Sequence, residues 1–107
     1  MPYIFVFSKF PSHKAPETGK KFLEQLKKYP SDDSLGITVV NAAVKARTDG
    51  VQVVSVSTVI KGKLEDSLNR TNEILSMYNE IEGFEYTIEV WSEPGEALAT
   101  VGLKMPE

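Results

Sequence analysis

At 107 residues the chain has the length of one domain, since compact domains cluster at roughly 100–150 residues. Hydrophobic residues make up 41% and charged residues 25%, a balance that excludes a disordered segment and a membrane-spanning one. With no cysteine there are no disulfides, no thiol catalysis, no thiolate zinc site and no iron–sulfur cluster, and the single histidine, His13, rules out a two-histidine zinc site within one chain.

No apolar run approaches the ~20 residues of a membrane helix. The start, Met-Pro-Tyr-Ile-Phe-Val-Phe, lacks the basic region of a secretory signal. A cytoplasmic location is the expectation. The net charge of −3 is unevenly spread: residues 1–30 carry six lysines against two glutamates, and residues 31–107 carry six basic against thirteen acidic groups. An acidic chain without a basic stripe argues against nucleic acid as a partner, and no membrane partner is expected.

Tyr3 to Phe10 is short, aromatic and β-branched, and predicts a buried strand. Pro16, followed by Glu17, suits the first turn of a helix. That helix places Ala15, Gly19, Phe22, Leu23, Leu26 and Tyr29 on one face and stops at Pro30. Two β-rich runs follow, 37–48 and 51–60, joined by Asp49-Gly50. This dipeptide predicts a two-residue hairpin turn with positive φ at both positions.

A second helix opens at Lys63, carries Leu64, Leu68, Thr71, Ile74, Leu75, Tyr78 and Ile81 at 3-and-4 spacing, and closes at Gly83. Residues 84–91 alternate apolar and polar and predict a half-buried strand. Ser92 or Glu93 then caps a short final helix containing Pro94, Ala97, Leu98 and Val101.

The order β-α-β-β-α-β plus a C-terminal helix defines an α+β class and a single ferredoxin-like domain over 1–107: two helices on one face of a four-stranded antiparallel sheet. With Asp49-Gly50 as the turn, Lys45 pairs with Val54 and Asn41 with Thr58. The helix side of the hairpin then holds Val40, Ala42, Val44, Ala46, Val53, Ser55, Ser57 and Val59. The outer side holds Val39, Asn41, Ala43, Lys45, Arg47, Gln52, Val54, Val56, Thr58 and Ile60. On the last strand Phe84, Tyr86, Ile88 and Val90 face the helices, leaving Glu85, Thr87, Glu89 and Trp91 outside. A bulge would reverse these assignments on one strand. Val39, Val54, Val56, Ile60 and Trp91 make the outer face too apolar to stay wet. A homodimer or higher homo-oligomer is expected to cover it.

In length, element order and strand character the chain resembles the dimeric α+β barrel superfamily. The resemblance implies two ferredoxin-like chains packed sheet to sheet around a central cavity. That superfamily includes cofactor-independent monooxygenases of aromatic substrates, isomerases, haem-handling proteins and stress-induced proteins. It carries no motif and no catalytic residue onto this chain.

The function expected is binding of a small, mainly apolar molecule between two packed sheets, with an oxygenase- or isomerase-like activity implied by the resemblance alone and no cofactor or metal. The alternatives are a regulatory ligand-sensing module, with its ligand between helices or chains, and a purely structural or interaction dimer. The candidate ligand-binding residues are Lys9 near the end of the first strand, His13 in the loop after it, Asn41, Lys45 and Thr58 on the hairpin, and Glu89 and Trp91 on the last strand. His13 is chosen because imidazole titrates near neutrality. Lys45 and Glu89 are chosen as groups facing each other within the barrel, and Trp91 as a stacking platform.

Overall fold

The computed structural model describes residues 1–106. Its order is β1 (Tyr3–Phe10), α1 (Ala15–Lys28), β2 (Thr38–Arg47), β3 (Gly50–Thr58), α2 (Leu64–Ser76), β4 (Glu85–Trp91) and α3 (Pro94–Ala99), with a 3₁₀ turn, Ser12–Lys14, before α1. The strands form one antiparallel sheet in the spatial order β2-β3-β1-β4.

Pro16 sits in the first turn of α1, and the helix ends where Tyr29 N–H donates to the Gln25 carbonyl at 2.8 Å, one residue before Pro30. At the last helix Glu93 and Glu96 cap each other's backbone reciprocally.

The second helix stops five residues earlier than its periodicity suggests. After Ser76 the chain continues in tighter turns, with Met77 N–H bonded to the Ile74 carbonyl and Ile81 N–H to that of Tyr78. Leu75, Tyr78 and Ile81 recur every third residue, the repeat of a three-residue turn rather than of an α-helix. All three are buried as one cluster, against Val6, Met77, Phe84 and Ile88. Gly83, at φ 83°, closes this segment. A Cβ there would lie 2.6 Å from Pro11 Cγ.

The hairpin differs from expectation in two ways. Arg47 pairs with Gly50, so Thr48 and Asp49 form the turn and neither has positive φ. Gly50 takes the positive φ, 142°, as the first residue of β3. Its missing Cβ lets the Phe10 carbonyl approach, since a Cβ would sit 2.5 Å from that oxygen. The register therefore slips by two residues, Lys45 pairing with Gln52 and Ala43 with Val54. Faces near the turn survive a slip of two because side chains alternate with period two.

Upstream, the register shifts between Ala43 and Val40 and again between Val40 and Thr38. Each shift leaves extra residues on β2, as in a β-bulge. Val40 now pairs with Val56 and belongs to the outer face rather than the helix side. Asn41 lies in the bulge, outside the regular outer-face register.

The helix side of the sheet carries Ile4, Val6, Ser8 and Phe10 of β1 with Ile88 of β4. On α1 the buried residue is Thr18, and Leu23, expected inside, is 62% exposed. The helices are joined through polar groups: Tyr78 O–H donates to Gln25 Oε1, Lys21 pairs with Glu80, and Arg70 donates to the Pro30 carbonyl. Burial pushes the Tyr78 hydroxyl up to about 12. The helix side of β2 stays uncovered, with Val44 68% exposed.

The sheet is thin and broad. The extents are 49 × 31 × 19 Å and the radius of gyration is 15.6 Å, where a compact chain of this length has about 13 Å. The accessible surface is 7,184 Å², against about 5,950 Å² for a folded monomer of this mass.

Candidate functional site

The antiparallel register builds the outer face of the sheet row by row. At the hairpin end the row is Lys45, Gln52, Lys9 and Glu85. Next come Ala43, Val54, Phe7 and Thr87, then Val40, Val56, Phe5 and Glu89. The last row is Thr58, Tyr3 and Trp91. Aromatic rings crowd the β1–β4 half. Phe5 stacks on Trp91 with centroids 4.5 Å apart, on Phe7 at 5.9 Å, and meets Tyr3 edge-on at 6.3 Å. Trp91 is 48% exposed, and its indole N–H donates to Glu89 Oε1 at 3.1 Å.

Charges cluster at the hairpin end. Lys9 pairs with Asp49 at 2.5 Å, and Arg47 bonds both Asp49 and Gln52 at 3.1 Å. The bonded Lys9 ammonium, helped by Arg47, holds the Asp49 carboxyl below its usual range.

Of the sequence-derived candidates, Lys9, Lys45, Glu89 and Trp91 share this face. Lys45 and Glu89 stand on the two outermost strands, with two strands between them. Three strand spacings amount to about 14 Å, so within one chain they do not face each other. His13 lies exposed in the 3₁₀ turn after β1, apart from the others. Thr58 has the outer-face register opposite Tyr3, but its hydroxyl turns to the Ile37 backbone, bonding N–H at 3.3 Å and the carbonyl at 3.4 Å. Reading 3–10 as one buried strand hid Tyr3, Phe5 and Phe7. The signal was present as the alternation of aromatics at 3, 5 and 7 against Ile4, Val6 and Ser8.

A second site lies on the helix side. A cleft with about 350 Å³ of free space is walled by the C-terminal half of α1, the loop 30–37, the start of β2, the end of β3, and α2. Ile4, Leu26, Leu35 and Ile74 give it apolar surface, and Asn41, Ser57, Ser67, Thr71 and Arg70 give it polar groups. Asn41 is thus a cleft residue, carried there by the β2 bulge, and Thr58 also contributes to the lining. Arg70 crosses the Tyr29 ring, its guanidinium carbon 5.5 Å from the centroid. Asp32, also in the lining, accepts from Ser34 O–H at 2.5 Å and Ser34 N–H at 3.0 Å. Those bonds, with Arg70 nearby, hold its carboxyl below the usual range.

Among the described residues, no helix is long and apolar enough to cross a membrane, and no three His, Asp or Glu side chains gather as a metal site. No protein-family model and no curated protein matches the chain. Among solved structures the chain is similar to a de novo designed protein, Foldit4, with 17% identity, 86% of this chain and 97% of that chain covered, and a TM-score of 0.53. That likeness concerns the fold alone.

Proposed function

We propose that this chain is a ferredoxin-like subunit of a homodimer or higher homo-oligomer. Its sheets pack face to face, as in the dimeric α+β barrel superfamily, and enclose a small, mainly apolar molecule. The carrying observation is the continuous aromatic patch of Tyr3, Phe5, Phe7 and Trp91, whose rings contact one another across the outer sheet face with Trp91 48% exposed. The strand order β2-β3-β1-β4 supports the ferredoxin-like reading.

The accessible area of the whole chain leaves room for a second copy. The accessible surface exceeds that of a typical monomer by about 1,200 Å², and a stable homodimer buries on the order of 1,000 Å² or more per subunit. Shape and charge favour it. Large rings occupy the β1–β4 half, and Ala43, Val54 and Val56 the β2–β3 half. A two-fold axis along the strands sets large side chains over small ones, and Lys45 of one copy over the position of Glu85 in the other. An axis across the strands sets Phe5 over Phe7 and the charged row over the aromatic one. The isologous arrangement along the strands is therefore the self-complementary one.

The apolar ligand lies between the two outer faces, with Lys9, Lys45 and Glu89 as the polar groups that orient it. Native mass spectrometry of the purified protein tests both parts. The expected result is a particle of twice 11.9 kDa, carrying a non-covalent adduct that is lost on denaturation. A monomer at micromolar concentration overturns the assembly. A dimer with no adduct, and none formed on adding small aromatic compounds, overturns the ligand.

A further inference from the structure

The chain has two arginines, and they are held differently. Arg47 sits on the hairpin with a carboxylate, Asp49, at 3.1 Å. Arg70, half-buried on α2, has no carboxylate within 4.0 Å among the described residues. Its contacts are the Pro30 carbonyl and the face of Tyr29. A guanidinium has five N–H donors in a planar fork, and one carbonyl and one ring face leave most of them unused. The stacking and the carbonyl bond also fix its position, which lowers the entropic cost of binding an anion.

Arg70 lines the helix-side cleft, whose free space of about 350 Å³ falls within the range of small-molecule sites. The lining is mixed, with hydrocarbon from Leu26, Leu35, Ile74 and the Tyr29 ring beside the polar groups. Asp32 places a negative charge in the same lining, which disfavours a dianion such as phosphate. One fixed guanidinium beside an apolar wall, with a carboxylate nearby, matches a singly charged group on an apolar body.

We propose that this cleft binds a small amphiphilic monocarboxylate, its carboxylate on Arg70 and its hydrocarbon against Ile4, Leu26 and Ile74. The site lies on the other side of the sheet from the aromatic patch and does not depend on the assembly proposed above.

The test is a ¹H–¹⁵N NMR titration of the full chain with 4-phenylbutyrate, with 4-phenylbutanol and inorganic phosphate as comparison probes. The expected result is saturable shifts at Tyr29, Ser57, Arg70 and Thr71, with the alcohol and phosphate each binding at least tenfold more weakly. Arg70→Gln is expected to weaken the carboxylate at least tenfold and leave the alcohol unchanged, as loss of a charge-assisted bond requires. A second variant, Ser57→Leu, narrows the cleft from the sheet side without altering Arg70 and is expected to weaken both organic probes. Equal binding of acid and alcohol, preference for phosphate, shifts confined to Phe5 and Trp91, or a carboxylate affinity indifferent to both substitutions overturns the proposal.

Discussion

Phe5→Ala probes the outer face at its centre. Phe5 pairs with Val56 on one side and Glu89 on the other, and its ring stacks on Trp91 and Phe7. Most of its surface is already buried within one chain, with about a third of it at most left exposed. Full burial of a phenylalanine stabilises by about 1.5–3 kcal/mol, so covering the remaining third contributes at most about 0.5–1 kcal/mol per copy. A two-fold interface contains the residue twice, and the substitution therefore costs about 1–2 kcal/mol of association, or roughly tenfold in Kd. Sedimentation velocity over a dilution series reads this directly. Val44→Ser is the control, because Val44 lies 68% exposed on the opposite side of the sheet, and its association constant should match that of the parent chain. A Phe5→Ala protein that associates as tightly as the parent refutes the reasoning, as does a parent chain that sediments as a single copy at micromolar concentration.

Two further outcomes concern the single chain. Gly50→Ala places a methyl group 2.5 Å from the Phe10 carbonyl at a φ of 142°. Strain at such a φ and the backbone contact together predict a loss of about 1–3 kcal/mol, read by urea unfolding; an unchanged midpoint contradicts the hairpin geometry. The Tyr78 hydroxyl is raised from 10.0 to about 12 by burial, so its contribution to stability is complete below pH 10 and declines as pH rises from 10 towards 12. Ultraviolet titration should show one late tyrosinate that disappears in Tyr78→Phe, and four tyrosines titrating together would contradict the burial.

The weak point of the isolated fold is its helix layer. The seam between helices rests on Gln25–Tyr78, Lys21–Glu80 and Arg70–Pro30 rather than on interdigitated apolar side chains. Much of the α1 stripe read as apolar is not buried: Leu23 stands outside, and Thr18 is the residue turned inward with its hydroxyl lacking a hydrogen-bond partner. An amphipathic pattern specifies a helix but not the angle at which it meets the sheet. That angle is set by what the loops and the neighbouring helix permit.

Local sequence determined the kinds of elements, their order and most of their limits. Pro16, Pro30, Gly83 and the reciprocal pair Glu93 and Glu96 act within a few residues of themselves, through φ restriction and backbone hydrogen bonds. The strict alternation of β4 likewise placed Trp91 and Glu89 outside, because period two needs no distant partner. The site residues that depended on pairing were decided only by tertiary structure. Where β2 bulges against β3, Val40 joins the outer face and Asn41 joins the cleft, and no residue within β2 signals that shift. Arg70 reads in sequence as one more polar position on α2. It becomes a half-buried cation over Tyr29 only when Pro30 ends α1 across from it, since cross-strand register and helix docking are settled by contacts between segments far apart in the chain.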